Sequence, residues 1–471
     1  MVQYAYDIMD RVTNISWQMA SGATLGGFAY EYDALGRIVS RSHTLGDPSQ
    51  PSSPMSQSSQ KTYAYDNLDR LASDGGVAYT YDAAGNRMTR VDDGETITYT
   101  LGVGDRLASY GRAASTMPPH SGAYTYDTAG NVTRIERDGR PTLDLAWNSQ
   151  YQLVSVATNG AFAERYAYDA LGRRVSTTTR ERTTRHVYDG NWQCIADIDE
   201  QGNIVASYFW GEGIDKMLAV TVGGATYYAL TDIQGTVWGY VDSQNNVVAS
   251  WTYDAWGSVR SEYVAPSAIA LARIRYRFQG REWSAATALI NFRMRWYDAK
   301  TGRWLSKDPI GLSGGLNLYV FCGDNSINYT DVSGCCSAGK KAHEWAKKRK
   351  GSKRYNQWGT RGFPRWWGEY KCNLFVADAY NKGNNKEIIP TGFWGTTPPR
   401  AEDWFDGNVP AGFSATETPQ VGDVISDGSH MGIVSEPGKT SISASDIEGK
   451  VVENDWGFRE GDEVKAWHYT E

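Results

Sequence analysis

Tyr32-Asp33-Ala34-Leu35-Gly36-Arg37-Ile38-Val39-Ser40 returns, with small changes, as Tyr81-Asp82-Ala83-Ala84-Gly85-Asn86-Arg87-Met88-Thr89 and as Tyr168-Asp169-Ala170-Leu171-Gly172-Arg173-Arg174-Val175-Ser176. Each copy reads as strand, turn, strand. An alternating stretch such as Phe28-Ala29-Tyr30-Glu31-Tyr32 enters, with the period of two that suits a half-buried strand. Asp-x-x-Gly-Arg/Asn makes the turn, where glycine reaches positive φ without a Cβ clash. Alternating residues such as Arg37-Ile38-Val39-Ser40 leave. Tyr-Asp recurs at 6–7, 32–33, 65–66, 81–82, 126–127, 168–169, 188–189, 253–254 and 297–298. Hairpins repeated in this way join edge to edge into a long sheet. The 30 Tyr, 18 Trp and 50 Gly of the 471 residues fit a β-rich chain with many turns.

These repeats resemble the YD repeats of Rhs proteins, which are also found in the C subunits of insecticidal toxin complexes and in teneurins. The resemblance covers roughly residues 1–334. It implies a hollow β-shell that encloses a C-terminal cargo. The expected fold class is therefore a mainly β YD-repeat shell, a spiral β-sheet cocoon, followed by a small α+β papain-like domain. The expected boundaries are 1–275 for the shell, 276–335 for an Rhs-associated core with a self-cleavage seam, and 336–471 for a hydrolase toxin domain. A generic β-solenoid or sandwich is the plainer alternative. Spacings between copies are irregular, which implies degenerate copies or insertions. The stretch from Gly46 to Ser59, rich in Pro and Ser, reads as a mobile loop. The repeat region is short for a complete shell of that family, so a truncated protein or a fragment is expected.

The seam begins with Arg295-Trp296-Tyr297-Asp298 and Asp308-Pro309-Ile310-Gly311-Leu312, and ends with Asp331-Val332-Ser333-Gly334-Cys335. It is similar to the Rhs-associated core, in which two Asp-Pro-x-Gly motifs supply an aspartate pair that cleaves the chain just after the second. Two carboxylates held close can divide the roles of acid and base. By that resemblance Asp308 and Asp331 form the pair and the chain breaks after Cys335. The second motif departs from the pattern, with Val332 in place of Pro and Cys335 in place of Leu. The alternative is that both motifs are only β-turns.

Beyond the seam, residues 340–371 hold eleven Lys/Arg and two acidic residues, while 372–471 hold seven Lys/Arg and seventeen Asp/Glu. The basic stretch could bind an anionic polymer such as nucleic acid or cell wall, sit against the acidic half of its own domain or line an acidic shell; the self-complementary reading is favoured. In Lys371-Cys372-Asn373-Leu374-Phe375-Val376-Ala377-Asp378-Ala379-Tyr380, helical spacing puts Cys372, Phe375, Val376 and Ala379 on one face. A Cys in the first turn gains thiolate character from the helix dipole. Gly422-Asp423-Val424 and Ser429-His430-Met431-Gly432-Ile433-Val434 read as strand, turn, strand, with His430 opening the second strand. Glu453-Asn454-Asp455-Trp456 follows directly on a strand expected at Lys450 to Val452. This order, over roughly 355–471, resembles papain-like cell-wall hydrolases of NlpC and CHAP type. The resemblance implies Cys372 as nucleophile, His430 as base and then acid, and a polar residue orienting His430. Asn454 is the preferred third member and Asp455 the next. Glu453, or a residue near Ser443, is open too. The plainer reading makes Cys372 a small buried residue and His430 a structural one.

The five Cys (194, 322, 335, 336 and 372) are odd in number and irregularly spaced, so no disulfide framework or zinc site is expected. No cofactor is expected. The N-terminus lacks signal-peptide character and no apolar run is long enough to span a membrane. A net charge of −7 gives no global case for nucleic-acid binding. The expected function is that of an Rhs-type effector, made in the cytoplasm and delivered to a target cell by a type VI secretion system or a similar device. Its cargo is expected to cut an amide bond of peptidoglycan peptides, with an immunity protein and a delivery component as partners and no nucleic acid. Alternatives are a protease, deamidase or acyltransferase acting on proteins, or a YD-repeat adhesion protein with an inert C-terminal domain.

Overall fold

The computed structural model describes residues 1–335 apart from 10, 20, 21, 23, 46–56, 113–120, 191, 212–214 and 312–315. Beyond 335 it describes 409, 420, 423 and the strands at 413–416, 424–426, 431–436, 440–445, 450–455 and 465–469. The chain forms two compact units. The first comprises Met1–Ala5, Val12–Pro309 and Asn317–Cys335; the second comprises Tyr6–Arg11, Ile310–Leu316 and Cys336–Glu471.

The first unit is built on a 24-stranded sheet running from Val2–Tyr6 to Val259–Val264. Strands pair with their sequence neighbours, and the pairs are antiparallel. The mainly β fold expected from the repeats is the fold adopted. At each turn the motif aspartate caps the loop. The Asp33 carboxylate accepts the N–H groups of Leu35 and Arg37 at 2.9 Å each, and its other oxygen accepts Arg37 Nε at 2.6 Å. Asp66, Asp82 and Asp169 do the same in their own turns.

The tyrosine of each pair joins one hairpin to the one before. Tyr81 Oη donates to the Leu71 carbonyl at 2.7 Å, Tyr126 Oη to Leu107 at 3.0 Å, Tyr168 Oη to Leu153 at 2.8 Å and Tyr253 Oη to Val237 at 2.8 Å. In each case the acceptor is the residue next after the preceding turn. A β-bulge falls at the same tyrosine, between Thr80 and Tyr81, Thr125 and Tyr126, and Ala167 and Tyr168. A bulge bends and twists its strand, so the bend is repeated hairpin by hairpin. Two positions earlier stands a second, buried aromatic: Tyr30, Tyr63, Tyr79, Tyr124 and Tyr166. The period of two sends both rings to one face.

The long gaps in the Tyr-Asp series hold repeats spelled differently. Trp147 Nε1 donates to the Val132 carbonyl and Trp210 Nε1 to that of Cys194, both at 2.7 Å. Asn148, Asp199, Asp232 and Asp242 cap turns in place of a Tyr-Asp aspartate. Tyr297-Asp298, by contrast, is not a hairpin of the large sheet. It lies in a small four-stranded sheet of Glu282–Trp283, Ile290–Phe292, Arg295–Asp298 and Arg303–Trp304. There Asp298 accepts Tyr124 Oη at 2.5 Å and pairs with Arg137 at 2.6 Å. Asp298 still caps its own turn, accepting the Lys300 N–H at 3.1 Å, while its other oxygen makes the bridge to the large sheet.

The second unit contains a six-stranded antiparallel sheet in the order Phe413–Thr416, Lys465–Tyr469, Val424–Ser426, Met431–Glu436, Thr440–Ser445, Lys450–Asp455.

The repeat geometry predicts graded costs in denaturant unfolding. Tyr81→Phe removes one hydrogen bond and should cost about 1 kcal/mol, whereas Asp82→Ala strips the turn of its cap and should cost about 2 kcal/mol. Equal stability of wild type and Asp82→Ala would refute this account of the turn.

Candidate functional site

The seam is assembled around one buried arginine. Ile290–Phe292 and Arg295–Asp298 pair with Phe292 opposite Arg295, joined through Arg293 at φ 65°. Arg295 is 1% exposed and stacks on Trp304, its Cζ 4.0 Å from the ring centroid. Its NH2 lies 2.8 Å from Asp308 Oδ2 and 3.5 Å from Asp331 Oδ2. NH1 donates to the Leu318 carbonyl at 3.3 Å and Nε to that of Gly334. Asp308 and Asp331 are buried too. Buried carboxylates need such a partner, because an uncompensated charge out of water is costly.

The second oxygen of Asp331 gathers the chain that follows. Oδ1 accepts the N–H groups of Ser333 at 3.2 Å, Gly334 at 2.8 Å and Cys335 at 3.1 Å. Gly334 sits at φ 78°, and a Cβ there would lie 2.4 Å from the Phe292 carbonyl oxygen. Only glycine fits that approach. Ser333 Oγ donates to the Cys335 carbonyl at 3.3 Å. Asp308, Asp331 and Cys335, chosen from the sequence, are thus brought together. Arg295 was missed. Its stretch was noted, but nothing in a strand-like Arg-Trp-Tyr-Asp distinguishes a buried arginine until its partners are known.

Cys372 and His430 lie outside the described residues, as does the helix expected around Cys372. Asn454 and Asp455 stand on strand Lys450–Asp455, opposite Ser441 and Thr440. Asp423 of the Gly-Asp motif is buried, and its carboxylate accepts the Gln420 N–H at 2.8 Å. Its carbonyl accepts the Val434 N–H at 2.9 Å, which fixes the start of the strand pair.

A second polar cluster lies at His186, Cys194 and Asp197, whose ligand-type atoms fall within 4.8 Å of one another. Thr177 Oγ1 lies 2.9 Å from His186 Nε2, and Asp197 Oδ1 lies 2.7 Å from His186 Nδ1. Hydroxyl, imidazole and carboxylate are in relay order. Yet Arg275 donates to Asp197 and lies 3.1 Å from Cys194 Sγ. Burial and Arg275 hold the His186 pKa below its ordinary value, and burial pushes the Cys194 thiol up to about 12. A relay base must become a cation, and a metal must displace one; Arg275 opposes both. The cluster is a neutralised polar core.

Comparison with known proteins places these features. The family model described as Teneurin YD-shell matches residues 1–325. The tRNA3(Ser)-specific nuclease WapA of Bacillus spizizenii is 28% identical over 268 residues, 55% of this chain and 11% of the relative. Double-stranded DNA deaminase toxin A of Burkholderia cenocepacia is 26% identical over 342 residues, 65% of this chain and 22% of the relative. The chain therefore spans less than a quarter of the length of either. A Photorhabdus luminescens Tc holotoxin pore structure has a similar fold, with a TM-score of 0.53 and 19% identity over 71% of this chain and 18% of that one. These relatives correct the expectation of a peptidoglycan substrate with no nucleic-acid partner, since they are named for tRNA and DNA. The exclusion of nucleic acid leaned on a whole-chain charge of −7 and on pairing the basic stretch 340–371 with the acidic residues after it, while the peptidoglycan substrate leaned on the NlpC and CHAP resemblance. Among the described residues no helix is long and apolar enough to cross a membrane.

Arg295→Met leaves two buried carboxylates without their cation and should cost about 3–5 kcal/mol in urea unfolding of the first unit. Adding Asp308→Asn and Asp331→Asn to that variant should recover much of the loss. An unchanged midpoint for Arg295→Met would show that the arginine does not hold the seam.

Proposed function

This chain belongs to the teneurin YD-shell family, and from that premise we propose that it is a toxin-type effector that cleaves itself at the seam to free a C-terminal enzyme. The observation behind this is the shared guanidinium of Arg295, which holds Asp308 and Asp331 together while Asp331 binds the Cys335 N–H. One carboxylate takes a proton from water, whose oxygen attacks the Cys335 carbonyl carbon. The other carboxyl gives a proton to the departing nitrogen of Cys336, and the amide bond breaks. Arg295 offsets the charge that both aspartates share.

The released segment, from residue 336 on, then acts inside a recipient cell. Its basic stretch 340–371 and the names of the relatives favour a nucleic-acid substrate. A second reading rests on the order Cys372, His430, Asn454, with Asp455 as the alternative third member: a cysteine enzyme acting on a protein amide. Expression of the full chain in a recipient bacterium, followed by inspection of its DNA, tRNA and proteins, separates the two.

Two outcomes are expected. Denaturing electrophoresis of freshly made protein should show two fragments that meet near residue 335, and Asp308→Asn or Asp331→Asn should leave one full-length band. A wild-type chain that stays intact through long incubation would overturn the seam reading. On the second reading, Cys372→Ala and His430→Ala should each abolish toxicity at equal expression, with Asn454→Ala costing less. Full toxicity of Cys372→Ala would remove the cysteine mechanism and leave the nucleic-acid reading standing.

A further inference from the structure

Behind the seam lies a second clamp. Asp215 is buried and holds φ 63°. A non-glycine residue with that backbone is strained and persists only where its surroundings impose it. Here they do: a Cβ on Gly235 or Gly280 would lie 2.8 or 2.4 Å from the Asp215 carbonyl oxygen, so both close approaches require glycine. The carboxylate so placed grips Arg293 from both oxygens, Oδ1 to NH2 at 2.8 Å and Oδ2 to NH1 at 3.1 Å. It also pairs with Arg281. The fork-on-fork pair leaves Arg293 little freedom. Arg293 NH1 in turn donates to the carbonyl of Val332. Val332 is the residue between Asp331 and the Ser333-Gly334-Cys335 segment that Asp331 binds.

The chain itself supplies the comparison. The first motif is Asp308-Pro309-Ile310-Gly311, where the proline ring fixes φ near −65°. The second is Asp331-Val332-Ser333-Gly334, where no ring restrains the backbone. We propose that Asp215 and Arg293 are positioning residues for seam cleavage: held rigid by Asp215, Arg293 fixes the Val332 carbonyl and so supplies the restraint on the Asp331 turn that Pro309 supplies covalently on the Asp308 turn. The assignment rests on the reading that the seam cleaves. Arg293 touches no reacting atom. It acts through the Val332 carbonyl, so its removal loosens the approach of Asp331 to the Cys335 amide without changing either carboxylate. A displacement near 1 Å is enough to slow a reaction by on the order of a hundredfold.

The test follows cleavage of the full chain in a pulse of cell-free synthesis, read as the rate at which fragments appear on a denaturing gel. Arg293→Gln and Asp215→Asn should each slow cleavage about tenfold or more. Val332→Pro in the Arg293→Gln background should restore the rate to near wild type, a rescue that a purely structural role for Arg293 would not allow. Asp331→Asn should give no fragments in any background. Protease resistance of the uncleaved chains, compared with Asp331→Asn, shows whether each variant folds. If wild type cleaves and Arg293→Gln cleaves equally fast, the clamp is overturned while the seam stands. The clamp is also overturned if a folded Arg293→Gln, Val332→Pro double variant stays slow. If wild type gives no fragments, the seam reading fails, and the positioning role with it.

Discussion

Many hairpins of this sheet are tied to the one before by a single side-chain donor reaching one backbone carbonyl. Tyr81, Tyr126, Tyr168 and Tyr253 do it with a hydroxyl, Trp147 and Trp210 with an indole N–H. Opposite each of those residues the outgoing strand carries one extra residue, a β-bulge. The aspartate or asparagine that follows closes the turn, so donor, bulge and cap form one local unit. A sheet of many strands tends to curl or split unless its curvature is set. Here the same bulge sets it at repeat after repeat, and the sheet bends by instalments.

The segment that follows the sheet depends on that bend. Asn325 Nδ2 reaches the Asp69 carbonyl at 2.8 Å, Arg303 reaches Asn86 at 2.9 Å, and Tyr319 Oη reaches the Gly130 carbonyl at 2.8 Å. Ser284 bonds Glu164 at 2.7 Å and Ser326 bonds the Ala255 carbonyl at 2.6 Å. Its partners thus come from hairpins far apart in sequence, and they share a surface only when the sheet is complete. Arg295, Asp308 and Asp331 belong to this same segment. Their burial is tolerable only with each other, so the aspartates meet as part of seating the segment.

The hairpin repeat was legible because its signals are local: alternation for the strands, Asp-x-x-Gly for the turn, both readable within nine residues. The link between hairpins was half legible. Tyrosine announced it, but Trp147 and Trp210 make the same bond with different chemistry, and the spacing then looked irregular. Tyr297-Asp298 misled for the opposite reason. Its letters match the repeat, yet burial beside Tyr124 and Arg137 makes Asp298 a partner across the structure. The aspartate pair of the seam was visible as a motif. Arg295, Arg293 and Asp215 were not, because what defines them is contact across tens of residues. The charge reading failed because a basic stretch beside an acidic one fits self-pairing and an anionic ligand equally well, and the sequence does not choose between them.

Activity does not travel with the repeat region. This chain matches relatives named for cutting tRNA and for deaminating DNA, through a part that is a small fraction of each. What is shared among proteins of different activity cannot specify the activity. It can specify only what they have in common: a folded sheet, and a core segment seated against its turns. The family match runs over residues 1–325, so it takes in Asp308 and stops short of Asp331. The sheet and most of the segment seated on it therefore belong to what is shared, and the chemistry must come from what differs between these proteins.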